Sequence, residues 1–371
     1  MLATRPPATA SRLPQHETVA PPLTGGARVE VCVAGTGLAG MMAAYLLARD
    51  RRSVMVIDEG PIGGAPGGAE VAHLASMIEQ PYHHLARLHG EDASRLGAKS
   101  TAAALDSIEA IVRRERISCE FERLDGYAFG LPVEVEVRAA RKAGVRGVEA
   151  LSAPPIEGCA ERPCVRYPAQ ALFHPPRFLA GLASATAREG GRIHCGVGIK
   201  AIQPHQPSSL LTTGGHRIDA DMIVSRGPEA RVSRIVNVIG LRIPRGCITR
   251  ALYWDSSGPT RCARLRSVAG GGEVLLVGGE DSPAGLEAWA RLHFPRAGDV
   301  VQRFTAGLPP PADLFAVVGS GETDSGSNYV CTSSWGTLLT RAAIAGMAIR
   351  DCIEGARTPW GDLYTGTHRL S

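Results

Sequence analysis

The stretch from Arg28 to Glu59, RVEVCVAGTGLAGMMAAYLLARDRRSVMVIDE, constrains this chain more than any other. Val29, Val31 and Val33 alternate and then merge into an apolar run, which reads as a buried parallel strand. The turn AGTGLAG follows, then an apolar helix from Leu38 to about Arg49, then a second strand, Val54 to Ile57, that ends in Asp58. Strand, G-x-G-x-x-G, helix, strand and acid together turn a weak glycine pattern into a dinucleotide-binding fingerprint. Gly35 permits the tight turn, Gly37 lets a pyrophosphate approach the backbone, and Gly40 lets the helix pack close to the sheet. The helix start at Leu38 and Ala39 offers N–H groups and a partial positive charge to phosphates. Asp58, 23 residues after Gly35 and followed by Glu59, is placed to accept hydrogen bonds from ribose hydroxyls. An α/β turn that holds no ligand is the alternative.

A chain of 371 residues is long enough for a large core and two lobes. Its net charge of +4 gives no electrostatic case for nucleic acid, and no apolar run approaches the ~18 residues that cross a membrane. Nine cysteines without a C-x-x-C pair signal neither a metal site nor a disulfide framework, so free thiols in a cytoplasmic protein are expected. Residues 1–27 are rich in Pro, Ala and Thr and read as a disordered leader, with a transit peptide as the alternative.

The segment Gly60 to Ser76, GPIGGAPGGAEVAHLAS, carries enough glycine to run close to a ligand, with Gly63 and Gly64 foremost, or to be a flexible loop. Helices are expected from Pro81 to Gly97 and from Thr101 to Ile117, a strand from Cys119 to Phe129, and a charged helix from Leu131 to Ala143. Pro175–Pro176 and Gly190–Gly191 bracket another helix, and Leu210–Thr213 with Arg217–Ile223 make a hairpin. Short strands at Arg242–Pro244, Ala251–Trp254, Cys262–Leu265 and Glu273–Gly278 indicate a separate antiparallel sheet. Helices at Leu286–Phe294 and from Thr337 to Glu354 complete the pattern, which predicts a two-lobed α/β protein.

The segments AGTGLAG, VAHLASMIEQPYHHLARLHGEDASRL, CEFERLDGYAF, FHPPRFLAGLA, ALYWDSS, LLVGGED and PWGDLY resemble the D-amino-acid-oxidase-like FAD-dependent oxidoreductases. The nearest likeness is to the glycine or sarcosine oxidase-like and gamma-glutamylputrescine oxidase-like branch. It covers residues 28 to 365. The C-terminal Rieske domain of some members is not expected, since no Cys-x-His pair follows Leu363. The resemblance implies a Rossmann-like FAD/NAD(P)-binding fold of the DAO and glutathione-reductase type, with an antiparallel substrate lobe. It assigns 28–120, 165–228 and 310–365 to the FAD lobe, and 121–164 and 229–309 to the substrate lobe. The implied reaction oxidises the C–N bond of a small amine or amino acid: hydride passes to flavin N5 and the imine hydrolyses.

The resemblance also places Ile199 beside the adenine, and Gly336, Thr337 and Leu338 at the flavin's pyrimidine edge. His73, Tyr253 and Arg341 are candidate catalytic residues, with His174, Trp254 and Trp335 in neighbouring motifs. Each has an ordinary packing or surface alternative. The chain departs from the family pattern at Ala69-Glu70-Val71 after the second strand, at Ser225-Arg226-Gly227 for Ala-Thr-Gly or Ala-Thr-Asn, at Ser333-Ser334-Trp335 after Thr332, and in a shortened stretch between Ser225 and Pro244. These departures keep a rival reading open, a homologue that retains the fold but acts as a binding or scaffold protein. A dehydrogenase that passes electrons to an acceptor other than oxygen is a third.

Overall fold

The computed structural model describes residues 20–64, 73–76, 80–203, 207–226, 234–268, 271–308, 318–320, 329–332 and 339–364. Strand β1 (Ala27–Ala34) runs into the glycine-rich turn, α1 (Leu38–Arg49) leaves it, and β2 (Val54–Asp58) returns beside β1. A two-residue strand β3 (His73–Leu74) precedes α2 (Tyr82–Glu115), β4 (Glu122–Phe129) and α3 (Val133–Lys142). After β5 (Glu149–Leu151) and a tight turn at Glu157–Cys159 come β6 (Cys164–Leu172) and α4 (Pro175–Arg188). Next are β7 (Arg192–Cys195), β8 (Ile199–Gln203), β9 (Ser208–Thr212) and β10 (Arg217–Arg226). The antiparallel region holds β11 (Arg234–Ile243), β12 (Leu252–Asp255), β13 (Arg261–Ser267), β14 (Glu273–Gly279), α5 (Pro283–His293) and β15 (Val300–Leu308). The last elements are β16 (Val318–Ser320), β17 (Tyr329–Thr332), α6 (Leu339–Glu354) and α7 (Gly361–Tyr364).

Two sheets organise these elements. The first has the order β16-β17-β10-β1-β2-β7, with β9 and β8 added beside β10, and its centre is parallel. The second runs β15-β11-β14-β13-β12-β4-β6-β3, with β5 beside β6, and is mostly antiparallel. The expected division grouped residues from 165 onward with the first sheet, but β6 hydrogen-bonds to β4 in the second.

Helix α1 is apolar around most of its circumference because it is covered on all sides, by the first sheet, α4 and α6. Gly346 of α6 makes this contact possible: a Cβ there would meet Met42 Cβ at 2.5 Å and the Ala39 carbonyl at 2.9 Å. In α2 the break falls at Gly90 (φ +85°), not between Gly97 and Thr101 as expected. Ser100 and Thr101 look like loop residues in the sequence. Their hydroxyls instead return to the carbonyls of Gly97 and Ala98, at 2.8 and 2.9 Å, which keeps them satisfied inside a helix.

The second sheet has two unlike faces. Its outer face buries Phe129, Tyr253, Leu265, Leu275 and Val277 against Leu286 and Trp289 of α5. Its inner face contributes Leu252 and Trp254 to the core that also holds Leu74, Ala75 and Leu339. Under α5 lies a polar cluster. Asp255 accepts from Trp289 Nε1 at 2.7 Å and Ser257 N at 3.0 Å, while His293 Nδ1 faces the Trp289 carbonyl at 2.8 Å and its Nε2 faces Arg162 at 2.7 Å. Burial would raise the Asp255 carboxyl, but the bonds from Ser257 and Trp289 outweigh it and hold the group below its ordinary value.

Burial lowers His293 from its ordinary 6.5; the Trp289 carbonyl and Asp255 oppose this, and the cations of Arg162 and Arg261 reinforce it. The unfolded chain therefore binds this proton more readily than the folded one. Stability should be complete above about pH 6.5 and fall as the pH drops from there toward the lowered folded value. Urea midpoints measured from about pH 8 to about pH 5 should decline less steeply in His293→Gln than in the native chain. Equal slopes would remove His293 from this account.

Candidate active site

The glycine-rich turn is built as its residue types require. Gly35 takes φ +129°, a conformation L side chains rarely adopt, and its N–H reaches the Ile57 carbonyl at 2.8 Å. A Cβ on Gly40 would lie 2.4 Å from the Gly35 carbonyl and 3.1 Å from Val33, so glycine is what lets α1 cross β1 closely. Gly37 is different. A Cβ there would meet nothing within 4 Å, and its backbone is extended at φ −66°, ψ 170°. It is the N-cap of α1, where no side chain caps the helix and no acid lies in the first turn. The N–H groups of Leu38, Ala39 and Gly40 therefore lack intrahelical partners beside an open space.

Asp58 ties this turn to the following loop. Its Oδ2 accepts from Thr36 N at 2.6 Å and Thr36 Oγ1 at 2.7 Å, and its Oδ1 accepts from Gly60 N at 2.8 Å. A carboxylate has roughly four lone-pair sites, so beside the donors among the described residues about one remains for an outside donor. Glu59 beside it is exposed. Gly63 and Gly64 have packing reasons of their own: a Cβ would meet Leu179 at 2.7 Å in the first and the Pro61 ring at 2.8 Å in the second. Beyond Asp58, whose carbonyl accepts from Val197 N at 2.9 Å, Ile199 opens β8 with 40% of its surface exposed. The structure thus gathers Gly35, Gly37, Leu38, Ala39, Gly40, Asp58 and Glu59 at one end of the first sheet, and Ile199 follows Val197, which bonds Asp58, by two residues. Gly336, Thr337 and Leu338, together with Trp335 and Ala69–Val71, lie outside the described residues.

The catalytic candidates fare differently. Tyr253 is corrected: side chains alternate along β12, and this one turns to the outer face, fully buried. Its ring stacks on Tyr127 at 5.8 Å, meets Phe294 edge-on, and its hydroxyl donates to the Thr249 carbonyl at 2.8 Å. Trp254 takes the inner face instead. Arg341 is 5% exposed, beside Tyr364. Burial raises the Tyr364 phenol to about 12, while a bond with Ser100 of α2 and the Arg341 charge pull it down. His73 pairs with Leu172 through β3, and its side chain lies outside the described residues. His174 is the N-cap of α4, its Nδ1 accepting from Arg177 N at 3.4 Å.

Sequence reasoning passed over two arginines. Arg264 and Arg266 sit two apart on β13, on the face opposite Ala263 and Leu265, which pack under α5. They share that inner face with Trp254. Both line a slot of about 30 Å³ together with Phe173, His174 and Arg250. A wider cleft of about 490 Å³ adjoins it through Arg250 and Ser267. The period-two spacing in RCARLRS carried this signal, but nothing local says which face is inside.

The profile of the DAO family, described as FAD dependent oxidoreductase, matches residues 30–351. This chain belongs to the DAO family of FAD-dependent oxidoreductases. Several solved structures share the fold. Glycine oxidase from Geobacillus kaustophilus is 17% identical with a TM-score of 0.70, covering 92% of this chain and 99% of its own. L-amino acid deaminase from Proteus vulgaris, without its specific insertion sequence, is 13% identical with a TM-score of 0.72, over 96% and 98% of the two chains. L-proline dehydrogenase from P. horikoshii is 13% identical with a TM-score of 0.71, over 91% and 98%. These identities establish the fold alone. The probable oxidoreductase OrdL of Haemophilus influenzae is 27% identical over 108 residues, 29% of this chain and 25% of that relative. The match thus spans about a quarter of the curated relative.

As a DAO-family chain, this one carries the family's two-lobed Rossmann-like fold, and its residues fit the ADP half of FAD. The open side of Gly37, the uncapped start of α1 and the exposed Ile199 form a cradle of the required kind. No helix among the described residues is long and apolar enough to cross a membrane.

Proposed function

We propose that this protein oxidises the C–N bond of a small amino acid with FAD. The observation that carries the substrate class is the pair Arg264 and Arg266 on the inner face of the second sheet. A guanidinium fork recognises a carboxylate in a way a simple amine cannot use. Glycine oxidase, L-amino acid deaminase and L-proline dehydrogenase, which share the fold, are named for reactions of amino acids.

The chain's own residues set the arrangement. Asp58, with about one acceptor site left, takes a ribose hydroxyl, and Ile199 faces the adenine. Gly37 and the start of α1 hold the pyrophosphate. With Asp58 holding the ribose on the β2 side of α1, the elements that would hold the flavin end are α6, β3 and the inner sheet face. Bound there, FAD supplies the acceptor, N5 of its ring, for hydride from the carbon beside nitrogen, and the imine hydrolyses in water. Leu252 and Trp254 supply apolar walls that exclude water, and the arginines anchor the carboxylate.

Arg266 is the arginine to change, because it is less buried than Arg264 and its Nη2 donates to Gln302 Oε1. Arg266→Gln should lower kcat/KM for an amino acid by about tenfold or more, the size of one charge-assisted hydrogen bond, and leave the matching decarboxylated amine nearly unchanged. Equal losses on both substrates would refute carboxylate recognition by this residue.

A further inference from the structure

Strand β6 carries a distortion that its pairing does not require. Its register against β4 slips, with Leu124 opposite Gln170 but Gly126 opposite Tyr167. The one extra residue of β6 makes a bulge in which Ala169 adopts φ +57°. Alanine is strained there, and such outliers persist where the surroundings hold them. Here Arg123 holds it: its Nη1 donates to the Ala169 carbonyl at 2.9 Å, while its other nitrogens reach Glu109 at 2.8 Å and Asp106 at 2.7 Å on α2.

The bulge sets the aim of Gln170, whose side chain is 1% exposed. Its Oε1 accepts from Ser76 N at 2.6 Å, and its Nε2 donates to Ser76 Oγ at 3.0 Å and the Pro168 carbonyl at 2.8 Å. Across the sheet, Gly126 leaves room, since a Cβ there would lie 2.4 Å from the Trp254 ring and 3.0 Å from Gln170 Cγ. The Ser76 carbonyl accepts from Tyr82 OH. Ala75 exchanges both of its backbone bonds with Thr340 Oγ1, at 3.0 and 3.1 Å. The four backbone polar groups of Ala75 and Ser76 are thus held by side chains from β6, α2 and α6.

We propose that Gln170 is a positioning residue for the cofactor: the strained bulge fixes Gln170, and Gln170 fixes Ser76, which would border the flavin ring. This rests on the FAD reading above, which assigns the flavin end to β3 and α6. Gln170 acts through Ser76, so its effect must appear in FAD binding itself and not only in turnover.

The test uses the full chain freed of FAD: wild type, Gln170→Leu, Gln170→Glu and Ala169→Gly. Each is titrated with FAD by fluorescence quenching, and hydrogen exchange is followed in the peptide containing Ser76. Gln170→Leu, which removes the three hydrogen bonds to Ser76 and Pro168, should bind FAD about tenfold more weakly and exchange faster at Ser76. Gln170→Glu keeps the acceptor for Ser76 N but loses the donor to Ser76 Oγ and the Pro168 carbonyl, so it too should bind FAD more weakly; this holds the test open if leucine does not fold. Ala169→Gly adopts a positive φ freely and should keep both affinity and protection. Wild-type FAD affinity in Gln170→Leu or, if only that variant folds, in Gln170→Glu, alongside faster exchange, would overturn the proposal. A wild type that binds no FAD would overturn the reading beneath it as well, and that failure shows in the wild type alone.

Discussion

Gly37→Ala should fold as the native chain does and yet bind FAD on the order of a hundredfold more weakly. Its backbone, at φ −66°, suits any residue, and the new methyl meets nothing within 4 Å in the protein. The cost to the fold is limited to the poorer N-cap, about 1 kcal/mol. The methyl occupies the space through which a pyrophosphate approaches the N–H groups of α1, so its effect falls on the ligand. Gly40→Ala should behave in the opposite way. Its methyl would lie 2.4 Å from the Gly35 carbonyl, a backbone atom that cannot turn aside, so the fold itself should lose about 3 kcal/mol. Urea unfolding and FAD titration of the two variants separate these effects. Equal FAD affinity in Gly37→Ala and wild type would mean that the open side of this turn does not face the pyrophosphate.

Glu136→Ala should produce the largest loss of stability away from the turn, about 3–5 kcal/mol. Glu136 is a fully buried carboxylate on α3. Its oxygens accept from Tyr82 N at 2.8 Å, His83 N at 2.9 Å, His83 Nδ1 at 2.6 Å and the Tyr167 hydroxyl. It thereby caps α2 from another helix, where negative charge is favoured by the aligned peptide dipoles. Alanine would leave Tyr82 N and the Tyr167 hydroxyl buried without their acceptor, and the two His83 donors partly so. The same Tyr82 bonds the Ser76 carbonyl, so the loss should extend to Ser76. A shift in the urea midpoint equivalent to less than about 1 kcal/mol would show that the network adds little beyond packing.

The local parts of this fold were legible in the sequence. The boundaries of β1, α1 and β2 follow from a glycine pattern, an apolar period and one acid, all within a single βαβ unit. What depends on distant partners was not. Tyr253 and Trp254 are adjacent, and alternation says that they face opposite ways, but not which of them faces α5. The α2 break at Gly90 could not be told from one near Gly97, because the satisfaction of Ser100 and Thr101 inside the helix is invisible in composition. Gln170 gave no signal at all. Its role depends on a bulge held by Arg123, whose acidic partners Asp106 and Glu109 lie on α2, outside the strand itself. Strand β15 was missed because an edge strand exposes Val301, Arg303 and Thr305 on one side, which blurs the apolar alternation.

The most direct test of the central claim is an absorbance spectrum of purified protein with FAD, recorded anaerobically before and after adding small amino acids. The account predicts a flavin band near ~450 nm, perturbed from that of free FAD, which bleaches with an amino acid and not with the matching simple amine. No FAD retained, or bound FAD that no amino acid or amine bleaches, would contradict it. The chain would then be a homologue that keeps the DAO fold without its chemistry.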